Sequence, residues 1–120
     1  MDNWDYQELI DAIQDTYQEF LDEGMSPIEA ASRCMGEFES AADEGYCERI
    51  IVYASGVMLY SEIATIMPIG LHSAYRKALD SFAADRLTNN LSNVEAEDLI
   101  IRVRDARCAL DKMKPYDLCL

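Results

Sequence analysis

The segment at residues 50–71, IIVYASGVMLYSEIATIMPIGL, constrains the fold more than any other part of the chain, because Glu62 is its only charged residue. A helix of this composition must be buried on most sides, so in a small bundle we expect it to be the central helix. A membrane span needs about 20 apolar residues, and the segment nearly reaches that length. Glu62, Pro68 and Gly70 interrupt it, however, which favours a buried helix over a membrane span.

The rest of the chain predicts further amphipathic helices with clear start and stop signals. Gly24 can supply the left-handed residue that ends a first helix, and Ser26 with Glu29 forms the pattern of a capping box that opens the next. Ser92 with Glu95 repeats that pattern. We therefore predict five helices, at residues 5–22, between the Ser26 cap and Gly45, at residues 46–67, at residues 71–87, and between the Ser92 cap and Pro115.

The predicted fold class follows from the periodicity. No run alternates with period two between turn signals, and 120 residues are enough to bury one core. An apolar fraction of 50% and a charged fraction of 28% exclude a disordered chain. We expect an all-α compact bundle of about five helices, in a single domain over residues 1–120.

Net charge is the unusual property of the composition. Residues 1–62 contain 15 acidic residues and two bases, Arg33 and Arg49, which accounts for the whole net charge of −13, because residues 63–120 contain eight residues of each sign. Solubility alone does not require such segregation, whereas a binding surface does. The field would repel nucleic acid and anionic membranes and attract a basic protein.

The first predicted helix carries five acids at i, i+3/i+4 spacing opposite its apolar face, with no base among them. Like charges at this spacing oppose helix formation by a few tenths of a kcal/mol per pair, so the core must hold this helix. If the second helix packs antiparallel to the first, the acids of both form one continuous surface. Trp4 is either an exposed hot spot beside these acids or a residue folded back onto the core. The predicted partner-binding residues are Trp4, Asp5, Glu8, Asp11, Asp15, Glu19, Asp22, Glu37, Glu39 and Asp43.

The inventory of reactive groups argues against an enzyme. His72 is the only histidine, and its place at a helix start is typical of a structural residue. Glu48 and Glu62 are 14 residues apart, or about 21 Å along a helix, so they cannot share a metal. No phosphate-binding glycine loop or calcium loop occurs. We expect no catalytic residue, cofactor or metal, and no nucleic-acid binding.

The cysteines and the N-terminus indicate a reducing compartment. None of the cysteines forms a CxxC pair or lies near the histidine, which favours thiols over a disulfide framework or a zinc site; they are Cys34, Cys47, Cys108 and Cys119. The acidic sequence MDNWDYQELI lacks the layout of a signal peptide. We therefore expect a cytoplasmic protein, either a monomer or a weak dimer.

The spacing WDYQELIDAI…YQEFLDEGMSPIEAA…EFESA…ERIIVY, over residues 4–55, resembles immunity family three of the bacterial polymorphic toxin systems, a set of small all-helical proteins. The residues that carry the resemblance are Trp4, Tyr6, Leu9, Ile13, Tyr17, Phe20, Gly24, Ser26, Ala30, Glu37, Phe38, Glu48 and Tyr53. It implies a cytoplasmic protein that protects its producer by binding a cognate secreted toxin. Toxins of such systems are commonly nucleases with basic active sites, which would suit an acidic surface.

Three other functions stay open at this point. A phage-type mimic of nucleic acid that inhibits a host defence enzyme would use the same acidic surface. A helical adaptor or oligomer would bind a regulatory partner through Met and Tyr side chains, with the charge serving only solubility. A carboxylate-metal enzyme is the third.

Overall fold

The computed structural model of the chain describes residues 5–63, 66–83 and 91–116. These residues form six helices and two short strands, which confirms the predicted all-α class. Their bounds are α1 Tyr6–Asp22, α2 Pro27–Glu37, α3 Glu39–Ala42, α4 Tyr46–Ile63, β1 Ile66–Pro68, α5 Ile69–Asp80, α6 Asn93–Lys112 and β2 Lys114–Tyr116.

Helix α4 is the centre of the bundle, as the scarcity of charge in its sequence predicts. It packs against every other helix of the described chain. Its side chains Ile50, Val52 and Val57 are almost completely buried, and the buried core that surrounds them contains no charged residue. None of the helices in the described ranges has the length and apolar composition that a membrane span requires.

Helices α1 and α2 form an antiparallel hairpin. Gly24 has a φ of +99°, and the N–H groups of Gly24 and Met25 donate to the carbonyls of Leu21 and Phe20, which is the Schellman arrangement at a helix end. Ser26 then caps α2 by accepting a hydrogen bond from the Glu29 N–H at 3.2 Å. The predicted stop and start of these two helices are both confirmed.

The prediction of one helix between the Ser26 cap and Gly45 is wrong, because the helix breaks at Phe38. Phe38 has φ −104° and ψ 10°, outside helical geometry, and α3 continues as one further turn. Gly36, a weak helix former, lies just before the break. The bend buries the ring of Phe38 to 6% exposure together with Ala41 and Ala42 of α3, so tertiary burial decides the break.

Residues 66–68 and 114–116 form a parallel pair of strands that the sequence did not predict. Ile66 pairs with Lys114, Met67 with Pro115 and Pro68 with Tyr116. The third predicted helix therefore ends at Ile63 and not at residue 67, and the last one ends at Lys112. Three residues are too few to show a period-two pattern, and the fully buried Met67 fixes the pair to the core.

The fourth predicted helix, at residues 71–87, starts earlier and ends earlier than expected, since α5 runs from Ile69 to Asp80. Arg107 of α6 donates from Nε to the Leu79 carbonyl at 3.0 Å, so a side chain satisfies a carbonyl in the last turn. Residues 84–87 of the prediction lie outside the described ranges.

Helix α6 begins as predicted, at the capping box of Ser92 and Glu95. The Ser92 N–H donates to Glu95 Oε1 at 3.0 Å, and the Glu95 N–H donates to Ser92 Oγ at 3.1 Å. Two groups at the start of the helix that would otherwise lack partners are satisfied reciprocally.

A side-chain network ties the start of α1 to α6. The buried Tyr6 donates its hydroxyl hydrogen to Asp98, which also accepts from Arg102 Nε at 2.7 Å. The hydrogen bond from Tyr6, and then that from Arg102, lowers the pKa of Asp98. Burial, followed by the bond to Asp98, raises the pKa of Tyr6, so its hydroxyl stays protonated. The network fixes the orientation of α1 on the bundle.

Two glycines in the α1–α2 hairpin provide a matched test of this geometry. We expect Gly24→Ala to lower the free energy of unfolding by about 1 to 2 kcal/mol, because its φ is left-handed. Gly36 is helical and open space surrounds the position of an added Cβ, so Gly36→Ala should raise the free energy of unfolding by about 0.5 to 1 kcal/mol. Urea unfolding followed by circular dichroism measures both, and equal effects would contradict the described turn.

The Tyr6–Asp98 bond predicts a pH-dependent effect. Tyr6→Phe should lower the free energy of unfolding by about 1 kcal/mol at pH 7. The pKa of Asp98 is lower in the folded protein than in the unfolded chain, where it is about 3.9. The ionised carboxylate therefore stabilises the fold fully above the unfolded pKa, and this stabilisation is lost as pH falls through the folded pKa. The difference between wild type and variant should therefore shrink below about pH 4.

A surface pair supplies the control for that measurement. Asp105 lies 3.5 Å from Arg104 with both side chains more than half exposed, so Asp105→Asn should change the free energy of unfolding by less than about 0.5 kcal/mol. A Tyr6→Phe effect that is the same at pH 7 and pH 3 would contradict the role given to Asp98.

Candidate protein-binding surface

One side of α1 presents five acidic side chains to solvent. We call this set the acidic face of α1; it consists of Glu8, Asp11, Asp15, Glu19 and Asp22, all exposed. The opposite side of the same helix buries Leu9, Ile10 and Ile13 in the core. The helix therefore separates its apolar and acidic residues as the sequence pattern predicts, and packing holds the helix despite the repulsion between its carboxylates.

The polar contacts of these carboxylates are local and uncharged. Asp11 accepts from Gln7 Nε2 at 2.9 Å, and Asp22 accepts from Gln18 Nε2 at 3.0 Å. The exposed Asp5 is the N-cap of α1, and its N–H donates to Glu8 Oε1 at 3.4 Å. These bonds leave the negative charge of each carboxylate in place.

The arginines of α5 and α6 pair with acids of the same two helices. The pairs are Arg76 with Asp80 and Asp111, Arg102 with Asp98, Arg104 with Asp105, and Arg107 with Asp80. Within residues 5–63, 66–83 and 91–116, no carboxylate of the acidic face of α1 forms an ion pair. The arginines of α5 and α6 are thus paired within these two helices.

The predicted acids beyond α1 are also exposed, but they belong to two places. Glu37 lies near the α1–α2 contact, where Cys34 Sγ donates to the Ile13 carbonyl at 3.2 Å and the Glu37 charge contributes to the raised pKa of Cys34. Glu39 and Asp43 line a groove whose walls come from α2, α3, α4 and α5. Trp4, the remaining predicted residue, lies outside the described ranges.

We call the groove beside Glu39 and Asp43 the tyrosine groove. It has a volume of ≈ 410 Å³ and is lined by Met35, Glu39, Asp43, Tyr53, Tyr60 and Tyr75, among others. The rings of Tyr53 and Tyr75 contact each other with centroids 5.3 Å apart. The tyrosine groove adjoins a second groove of ≈ 540 Å³, which shares Asp43 and Tyr53 with it and is also lined by Arg49 and Lys77. Sequence reasoning missed both, because no periodicity in the sequence indicates which tyrosines of α4 and α5 face each other.

The histidine and the buried cysteine that the sequence analysis considered for catalysis make contacts between helices. His72 Nε2 lies 3.3 Å from the Leu110 carbonyl, which places the ring between α5 and α6. Burial first, and then the Glu37 charge, raises the pKa of Cys34 to about 11, so its thiol is not ionised at neutral pH. In the part of the chain that is described, no three His, Cys, Asp or Glu residues are grouped to hold a metal.

The other cysteines differ in their exposure to solvent. Cys47 is buried and Cys108 is exposed, while Cys119 lies outside the described ranges. The chemically distinctive surfaces of the described residues are the exposed carboxylates on α1 and the acid-edged aromatic groove beside α3.

Comparison with known proteins identifies the family. Searches of curated proteins and of solved structures returned no significant match to this chain. A model of the Imm3 immunity protein family matches residues 2–116, well beyond the residues 4–55 on which the sequence resemblance depends. Membership in this family implies an immunity protein directed against a toxin. Because this match covers nearly the whole chain, the chain belongs to the Imm3 family of immunity proteins.

Proposed function

We propose that this protein binds a basic toxin domain, of the nuclease type, in the cytoplasm of the toxin-producing cell, and neutralises it through the acidic face of α1. The observation that carries the proposal is the exposure of five carboxylates on one helix side with no ion pair to any base in the described ranges. Unpaired charge of one sign on one surface attracts a partner of the opposite sign.

The nuclease assignment rests on charge complementarity. A nuclease must hold phosphates, so the surface around its active site carries lysines and arginines. Carboxylates spaced one helical turn apart can occupy the place of successive phosphates and keep nucleic acid out. Family membership favours a toxin over a host defence enzyme as the owner of that basic surface.

The mechanism has a long-range and a short-range part. The field of the acidic face steers the toxin toward α1 and raises the association rate, whereas close contacts determine how long the complex lasts. The network of Tyr6 and Asp98 keeps α1 in one orientation, so the carboxylates are already in place when the toxin arrives. Neutralisation then requires no catalytic step by the immunity protein.

Charge reversal on the acidic face tests the proposal. We expect Asp11→Lys together with Asp15→Lys to slow association with the cognate toxin domain by about tenfold or more and to abolish protection of cells that express the toxin. Stability should not fall, because the substitutions replace like-charge neighbours of Glu8 and Glu19 with opposite charges. Surface plasmon resonance and a co-expression survival assay measure the two effects.

A matched variant separates location from net charge. Asp105 and Asp111 are exposed on α6, beyond the turn in which Asp98 contacts Tyr6 of α1, and their replacement by Lys changes the net charge of the protein by the same amount. This control should associate within about threefold of wild type, since the charge lies away from the proposed contact. Equal slowing by both variants, or unchanged binding by the α1 variant, would refute the acidic face as the docking surface.

A further inference from the structure

The floor of the tyrosine groove is aromatic and closely packed. Gly56 of α4 allows this, because a Cβ at its position would lie 2.5 Å from Tyr75 Oη. Burial, and then the neighbouring Tyr60 and Tyr53, raises the pKa of Tyr75, so the Tyr75 hydroxyl is uncharged at neutral pH. Tyrosine rings present a negative π-face, which attracts a cation placed over it.

The edge of the groove is acidic at one end. Glu39 is exposed, lines the groove, and lies close enough for its charge to act on the pKa of Tyr75. Asp43 also lines it, at 3.8 Å from Arg49. Arg49 and Lys77 belong to the adjoining groove and not to the lining of this one. The continuous depression is therefore negative beside Glu39 and positive beside Lys77.

We propose that the Glu39 end of the tyrosine groove receives a basic side chain of the toxin, an inference that rests on the function proposed above. The carboxylate of Glu39 pairs with the cationic head, and the half-buried ring of Tyr53 contacts its stem and its charge above the floor that the buried Tyr75 forms. A volume of ≈ 410 Å³ accommodates an arginine or lysine side chain. The groove thus adds a short-range anchor to the long-range attraction of the acidic face of α1.

This arrangement assigns different kinetic roles to the two acidic sites. Exposed charges on α1 act mainly on the association rate, because they attract the partner before contact. A side chain seated between a carboxylate and aromatic rings acts mainly on the dissociation rate, because it must leave its partners before the complex separates.

Two variants of the groove test the proposal with the cognate toxin domain. Glu39→Gln keeps the shape of the side chain and removes its charge, and we expect dissociation to be about tenfold faster. Gly36→Arg adds a cation at the groove, where open space surrounds the position of its Cβ, and should occupy the site in place of the toxin side chain. It should weaken binding by about tenfold or more.

Each groove variant has a matched control outside the groove lining. Glu44→Gln removes the same charge from an exposed acid, and Ser40→Arg adds the same side chain at an exposed position of α3. Both should bind within about twofold of wild type. Circular dichroism melting confirms that all four variants are folded, so weaker binding reports on the surface.

The outcomes separate this inference from the function on which it rests. Faster dissociation for Glu39→Gln and Gly36→Arg, with unchanged controls, supports the groove. Unchanged dissociation for both, in an experiment where Asp11→Lys with Asp15→Lys slows association, overturns the groove and leaves the acidic face in place. Equal effects of Ser40→Arg and Gly36→Arg also overturn it. A wild-type protein that does not bind the toxin overturns both proposals.

Discussion

The burial of one side of α1 against the core holds in place a helix whose other side carries five carboxylates. Leu9, Ile10 and Ile13 are among the most buried of the described residues, whereas none of the described bases forms an ion pair with the carboxylates of the exposed side. Burial of an aliphatic side chain contributes about 1.5 to 3 kcal/mol, and each like-charge pair on a helix costs a few tenths. Packing therefore exceeds repulsion, and the core can support a charged surface that would be unstable in an isolated helix.

The way the fold distributes its bases maintains that surface. Arginines of α5 and α6 pair within those helices, and Arg107 in addition satisfies the Leu79 carbonyl of α5. Helix α4 lies at the centre, and its charged residues, Glu48, Arg49 and Glu62, lie near its ends and are not buried. A general requirement for solubility would be met by any arrangement of these charges, whereas a docking surface needs them close together and without ion pairs, as the acids of α1 are among the described residues.

Sequence reasoning succeeded where local chemistry decides the structure. Gly24 and the Ser92–Glu95 box mark helix ends through their own backbone and side-chain hydrogen bonds, so a short sequence pattern is sufficient to find them. The position of α4 at the centre follows from the absence of charged residues between residues 50 and 61. The exposure of the acids on α1 follows from the angle that each residue occupies around the helix.

Sequence reasoning failed where contacts between distant parts of the chain determine the structure. Burial of Phe38 breaks a segment that reads as one helix, and the pairing of Met67 with Pro115 creates strands too short to have a pattern. Tyr6 and Asp98 are 92 residues apart, and the tyrosines of the groove come from two different helices. Such contacts depend on how helices pack, which helical periodicity alone does not specify.

The central claim, that exposed carboxylates on α1 draw in a basic toxin, is tested most directly by the salt dependence of the association rate. Stopped-flow mixing of the wild-type protein with its cognate toxin domain, from about 0.02 to 0.5 M salt, covers the range over which exposed charges become screened. Electrostatic steering predicts that the association rate falls by about tenfold or more across this range, while the dissociation rate changes much less. An association rate that stays constant within about twofold would contradict the account.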